Sequence, residues 1–141
     1  MSIYADSSFF VSLYVTDGHT PEVLRRLSQN PRVWFTPFQE AEVTNAIAQQ
    51  VFRGRIAAER ANQLYEDVYR DCAAGVWAVT GFPEATFTRG ATLARALVAR
   101  LGTRTLDSLH VAAALELKAE QFWTFDERQA KLAKAAGLKV K

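Results

Sequence analysis

Four carboxylates stand where a side chain could do chemistry. Asp6 closes the short apolar stretch Ser2 to Ala5, and Asp126 follows the aromatic run Phe122 to Phe125. Asp107 falls in the first turn of an apolar helical segment marked by Leu106, Leu109, Ala113 and Leu117. Glu42 lies within a helix that opens at Thr36-Pro37. Each has an ordinary reading. Asp126 with Gln129 three residues on has capping-box spacing, Asp107 suits the helix dipole, Asp6 could cap a helix beginning at Ser7, and Glu42 could be a surface residue. Glu40 competes with Glu42, but residues two apart on a helix are about 200° apart, so only one of them faces inward. Taken together the four repel one another unless a proton or cation neutralises them. Oxygen ligands without histidine or cysteine pairs select Mg²⁺ or Mn²⁺ over zinc, and that cation chemistry is the one used on phosphodiesters.

The elements that must position these groups follow from hydropathy and punctuation. Short strands are expected at Ser2–Ala5, Val33–Phe35, Val76–Val79, Phe122–Phe125 and Leu138–Val140. Helices are expected between them. One begins after Asp6, and one opens at Thr20-Pro21-Glu22 with threonine as N-cap. A third runs from Pro37 to about Arg53. Ile56 to Ala74 is the clearest, with Ala57, Ala61, Leu64, Val68 and Cys72 at three- and four-residue steps and Gly75 just beyond. Pro83 is expected to open a helix showing Phe87, Ala91, Ala94, Leu97, Val98 and Leu101 on one face, and Gly102 to end it. Strands alternating with helices predict an α/β/α sandwich around a parallel sheet of about five strands. Right-handed crossovers put the strands' C-terminal ends on one edge, where open sheets bind ligands. Asp6, Glu42 and Asp126 should face that crevice.

The 141 residues read as one domain, 1–141. A net charge of +2, with 12 arginines among 17 basic residues, points weakly to phosphate contacts. No apolar run reaches the roughly 20 residues of a membrane span. The N-terminus has no basic region before its apolar part, and the single Cys72 excludes an internal disulfide, so a cytoplasmic setting is expected.

The segments YADSS around Asp6, FQEAEVTNAI around Glu42, TLDSLHVAAAL around Asp107 and WTFDERQAKLAKAAGLKV around Asp126 resemble the PIN-domain nucleases. Among these, the chain is most similar to the VapC toxins of toxin–antitoxin pairs, in motif order and over nearly its whole length. The resemblance implies a Mg²⁺- or Mn²⁺-dependent endoribonuclease. Asp6, Glu42, Asp107 and Asp126 would be its catalytic, metal-holding residues, with Thr124 and Asn45 supporting them. The placement of Asp107 rests on the resemblance alone. It also implies an RNA substrate, a cognate antitoxin and a homodimer. Among Phe9, Phe10, Leu13, Tyr14, Val23 and Leu27, any that stay exposed are candidates for the protein–protein surfaces, though most of them must be core. Arg53, Arg55, Arg104 and Arg128 flank the motifs and are candidate RNA contacts. His110, one turn beyond Asp107, reads as a packing or hydrogen-bonding residue before it reads as a base. Ser7 and Ser8 read as helix-start residues, and the three tryptophans as buried strand residues. Two rival readings stay open. One is a PIN nuclease that processes RNA or acts on DNA without a toxin role. The other is a non-enzymatic α/β binding module whose carboxylates only cap helices.

Overall fold

Alternation along β1 (Ser2–Ala5) divides the interior in two. Ile3 and Ala5 point to one side and Tyr4 to the other, and all three are fully buried. A computed structural model describes residues 1–141. Five strands, all parallel, lie in the order β3-β2-β1-β4-β5, with β2 at Arg32–Phe35, β3 at Ala78–Val79, β4 at Gln121–Trp123 and β5 at Lys139–Val140.

On the face of Ile3 and Ala5 pack α1 (Ser7–Tyr14), α2 (Thr20–Leu27), α3 (Pro37–Phe52) and α4 (Ala58–Ala73). Phe9, Phe10, Trp77 and Trp123 make the aromatic centre of that layer, with Phe10 edge-on to Trp77 at 5.1 Å. Each such side chain adds about 1.5–3 kcal/mol by leaving water. Tyr14 ties the layer together, donating to Asp71 at 2.6 Å and accepting from the Trp77 indole at 2.7 Å. The opposite layer covers Tyr4 and Phe122 with α5 (Thr86–Leu93), a π-helical turn Ala94–Val98, α6 (Ala99–Leu101), α7 (Thr105–Glu116) and α8 (Glu127–Ala135).

The expected α/β sandwich is present, with local differences. As expected for most of the candidate surface set, Phe9, Phe10, Tyr14 and Val23 belong to the core and Leu13 and Leu27 are partly buried against it, while Leu24 of α2 stays 54% exposed. Residues 76 and 77 lie outside β3, although Trp77 is buried beside it. Thr20 is the first residue of α2 rather than its cap, which falls at His19. Pro83 opens a turn and the helix starts at Thr86. The face of α5 is rotated from its apolar stripe, burying Thr86 and Gly90 and leaving Phe87 63% exposed. The helix crosses α7 closely at that point: a Cβ on Gly90 would stand 3.0 Å from the Leu109 side chain, which would have to shift to admit it.

Candidate active site

Asp6 is placed by its backbone, whose N–H extends the β1–β4 ladder to the Trp123 carbonyl at 3.0 Å. Its extended conformation makes it the N-cap of α1, and Oδ1 accepts from the Phe9 N–H at 3.2 Å and the Ser8 hydroxyl at 2.6 Å. The Thr124 hydroxyl donates to Oδ2 at 2.7 Å. Only 6% of Asp6 is exposed. Burial raises its pKa above the ordinary aspartate range, against the downward pull of Ser8, Thr124, His110 and the Phe9 N–H.

Glu42 is placed by α3. Thr36 caps that helix in a reciprocal box with Gln39. The fully buried Gln39 amide donates to the Ala5 carbonyl at 2.7 Å and the Trp34 carbonyl at 3.3 Å, fastening the helix start to the ends of β1 and β2. Glu42 follows one turn later. Its Oε1 accepts from the Ser7 hydroxyl at 2.7 Å and is bonded by His110 Nε2. Burial pushes this carboxylate up, but the bond and charge of His110 and the Ser7 hydroxyl outweigh it and hold the pKa below the usual glutamate value. Glu40 is exposed on another face of α3, where it lines a separate groove with Tyr69 and Cys72.

Asp107 is the third residue of α7, and its Oδ2 accepts from the Arg104 N–H at 3.1 Å. The Gln129 amide reaches its Oδ1 at 3.5 Å. Asp126 is the N-cap of α8, accepting from the Gln129 N–H at 2.9 Å while its own N–H donates to the Thr124 hydroxyl at 3.0 Å. Thr124 itself lies one residue beyond the end of β4. Its place between Asp6 and Asp126 therefore comes from those two hydrogen bonds, not from strand alternation.

All four carboxylates line one cavity of about 460 Å³, together with Ser7, Ser8, Arg104, His110 and Gln129. The donor set is oxygen-rich, which suits a hard cation, and such a cation would offset the cost of ionising the buried Asp6. No three acidic, histidine or cysteine side chains close round a single point, so such an ion would keep several waters. Asn45 lies outside this cavity, in an adjoining one of about 740 Å³ that shares Ser7, Ser8, Glu42, Leu106 and Asp126 and runs past Phe125 to His19. Arg104 borders the carboxylate cavity, and Arg128 shares a third hollow with Arg104, Asp107 and Asp126. Arg53 and Arg55 are exposed past the end of α3 and border none of these cavities.

Sequence reasoning missed the hydroxyls of Ser7 and Ser8, each bonded to a carboxylate, and it missed the part taken by Tyr4. The adjacency of both serines to Asp6 was a usable signal. Nothing in the sequence pairs Tyr4 with His110.

The PIN domain model matches residues 3–135. The chain belongs to the PIN-domain family. That is a family of nucleases, and solved structures similar to this PIN domain are toxins of the VapBC and FitAB toxin–antitoxin systems. FitAcB from Neisseria gonorrhoeae superposes with a TM-score of 0.74 at 17% identity, covering 98% of this chain and 95% of that one. VapBC-1 from nontypeable Haemophilus influenzae gives 0.70 at 16% identity, covering 100% and 97%. The sarcin–ricin loop cleaving toxin VapC20 of Mycobacterium tuberculosis gives 0.63 at 17% identity, covering 96% and 95%. At these identities the likeness is one of fold. No curated protein matches the sequence.

Proposed function

We propose that this PIN domain is a Mg²⁺- or Mn²⁺-dependent endoribonuclease acting as the toxin of a toxin–antitoxin pair. The observation that supports it best is the meeting of four carboxylates in one cavity at the C-terminal edge of the sheet. A bound divalent cation would neutralise them, draw in the scissile phosphate and acidify a water. Asp6, Glu42, Asp107 and Asp126 are the residues that would hold it, some of them directly and the others through retained waters. The chain's own groups then position the reactants. Ser8, Thr124 and Ser7 fix the orientation of Asp6 and Glu42, and Arg104 at the rim supplies positive charge for a flanking phosphate. Hydrolysis by in-line attack leaves a 5′-phosphate and a 3′-hydroxyl without a covalent enzyme intermediate. The choice of RNA follows the loop-cleaving neighbour, and an antitoxin partner follows the VapBC complexes. A homodimer belongs to the same reading.

The test separates Glu42 from Glu40. Glu42→Gln should abolish cleavage of a single-stranded RNA and weaken Mn²⁺ binding in a calorimetric titration, while Glu40→Gln leaves both near wild type. Equal loss in the two variants would remove the cavity from the chemistry. Sequencing the RNA ends produced on expression would then name the target.

A further inference from the structure

His110 is walled in. It is 3% exposed, the Phe38 ring stacks on it at 4.3 Å and 25°, and the Tyr4 ring meets it edge-on at 5.7 Å and 62°. Both ring nitrogens are occupied by protein. Nδ1 is 2.8 Å from the Tyr4 hydroxyl and Nε2 bonds Glu42 Oε1. Tyr4 in turn is fully buried and stacks on Phe122 at 5.7 Å and 8°. The Tyr4 hydroxyl thus holds one side of the ring and Glu42 the other, and because Glu42 is held below the usual glutamate pKa its ionised Oε1 accepts from Nε2–H.

We propose that Tyr4 and His110 are positioning residues of the site: the Tyr4 hydroxyl holds the His110 ring through Nδ1, and His110 with Ser7 ties down Oε1 of Glu42 so that Oε2 is left to the cavity. The inference rests on the nuclease reading for its consequence and on hydrogen-bond geometry for its content. It also assigns His110 away from proton transfer to or from RNA, because both ring nitrogens are engaged by protein groups. Partners of this kind orient a ligand without touching what it binds. Such a chain reaches Glu42 from the opposite layer of the molecule, through β1 and α7, so it couples the placement of this carboxylate to the packing of the sheet.

The experiment uses the full chain and two readouts. The first is the ¹⁵N spectrum of the imidazole rings at neutral pH, readily assigned because the chain has 2 histidines. Tyr4→Phe, which keeps the stack and removes only the hydroxyl, should move the His110 Nδ1 resonance and leave those of His19 in place. The second is Mn²⁺ binding by calorimetry. Tyr4→Phe and His110→Leu should weaken it by about tenfold to a hundredfold, the usual effect of losing a group that orients a ligand. His110→Gln, whose amide can still donate toward Glu42, should recover part of the loss. Circular dichroism melts identify any variant that fails to fold, and Tyr4→Phe then carries the comparison. A His110 spectrum unmoved by Tyr4→Phe overturns the proposal, as does Mn²⁺ affinity unchanged in that variant. A wild type that binds no Mn²⁺ overturns the nuclease reading instead, and the nitrogen spectrum still decides the hydrogen-bond chain.

Discussion

Asp6 is caught between two demands. The fold buries it among three hydrogen-bond donors, yet burial raises its pKa, so an ionised Asp6 costs the empty site stability. The sign follows from proton uptake: between the unfolded and folded pKa values the folded chain holds more protons, so stability falls as pH rises through that window. At neutral pH without divalent ions, Asp6→Asn should therefore melt above wild type by about 3 °C, the shift expected for roughly 1 kcal/mol in a chain of this size. The advantage should vanish as pH falls below the ordinary aspartate range. Millimolar Mn²⁺ should reverse the order, because a cation that binds only the folded state stabilises wild type more than the variant. Thermal melts across pH, with and without Mn²⁺, check all three outcomes, and a variant below wild type throughout would mean that Asp6 acts only as a cap.

Two of the four carboxylates are also helix caps, Asp6 for α1 and Asp126 for α8. The same atoms thus hold an element in place and present charge to the cavity. Asparagine caps nearly as well as aspartate, so Asp126→Asn should melt within a few degrees of wild type. It should nevertheless cut RNA at least about tenfold more slowly at limiting Mg²⁺, a barrier change of ~1.4 kcal/mol. Unchanged cleavage would leave Asp126 a cap and nothing more. The dual use explains what could be read from the sequence. The caps, the Pro37 helix start and the Gly75 and Gly102 stops are local signals, and they put the helices and strands in the right order. The carboxylates were legible because they sit at those ends. Thr124 was legible only through the family resemblance, and its bond to Asp6 across 118 positions was not, nor was that of Tyr4 to His110 across 106. Helix phase failed at α5, which meets α7 through Gly90 rather than through the apolar stripe.

At the scale of the whole molecule, basic residues are spread unevenly around the cavity. Arg104 and Arg128 border it or its neighbour, whereas Arg53 and Arg55 do not. Binding of a short RNA by the Glu42→Gln protein, measured over a range of salt, should show this. Arg104→Ala should lower the slope of log affinity against log salt by about one, and Arg53→Ala should leave it unchanged. Equal slopes in both variants would place the nucleic acid elsewhere.

The sheet order also governs how the molecule comes into being. The central strand β1 finds one neighbour early, through the Ser2–Arg32 register, but the other only when Ile3 meets Gln121. A chain growing from the ribosome therefore carries Asp6 and Glu42 long before Thr124 and Asp126 exist. Until then one side of its middle strand lies open, and open edges invite pairing with other chains. A product cut short before β4 would lack Thr124 and Asp126 and be prone to aggregate, so the four-carboxylate cavity cannot close until that strand has been made.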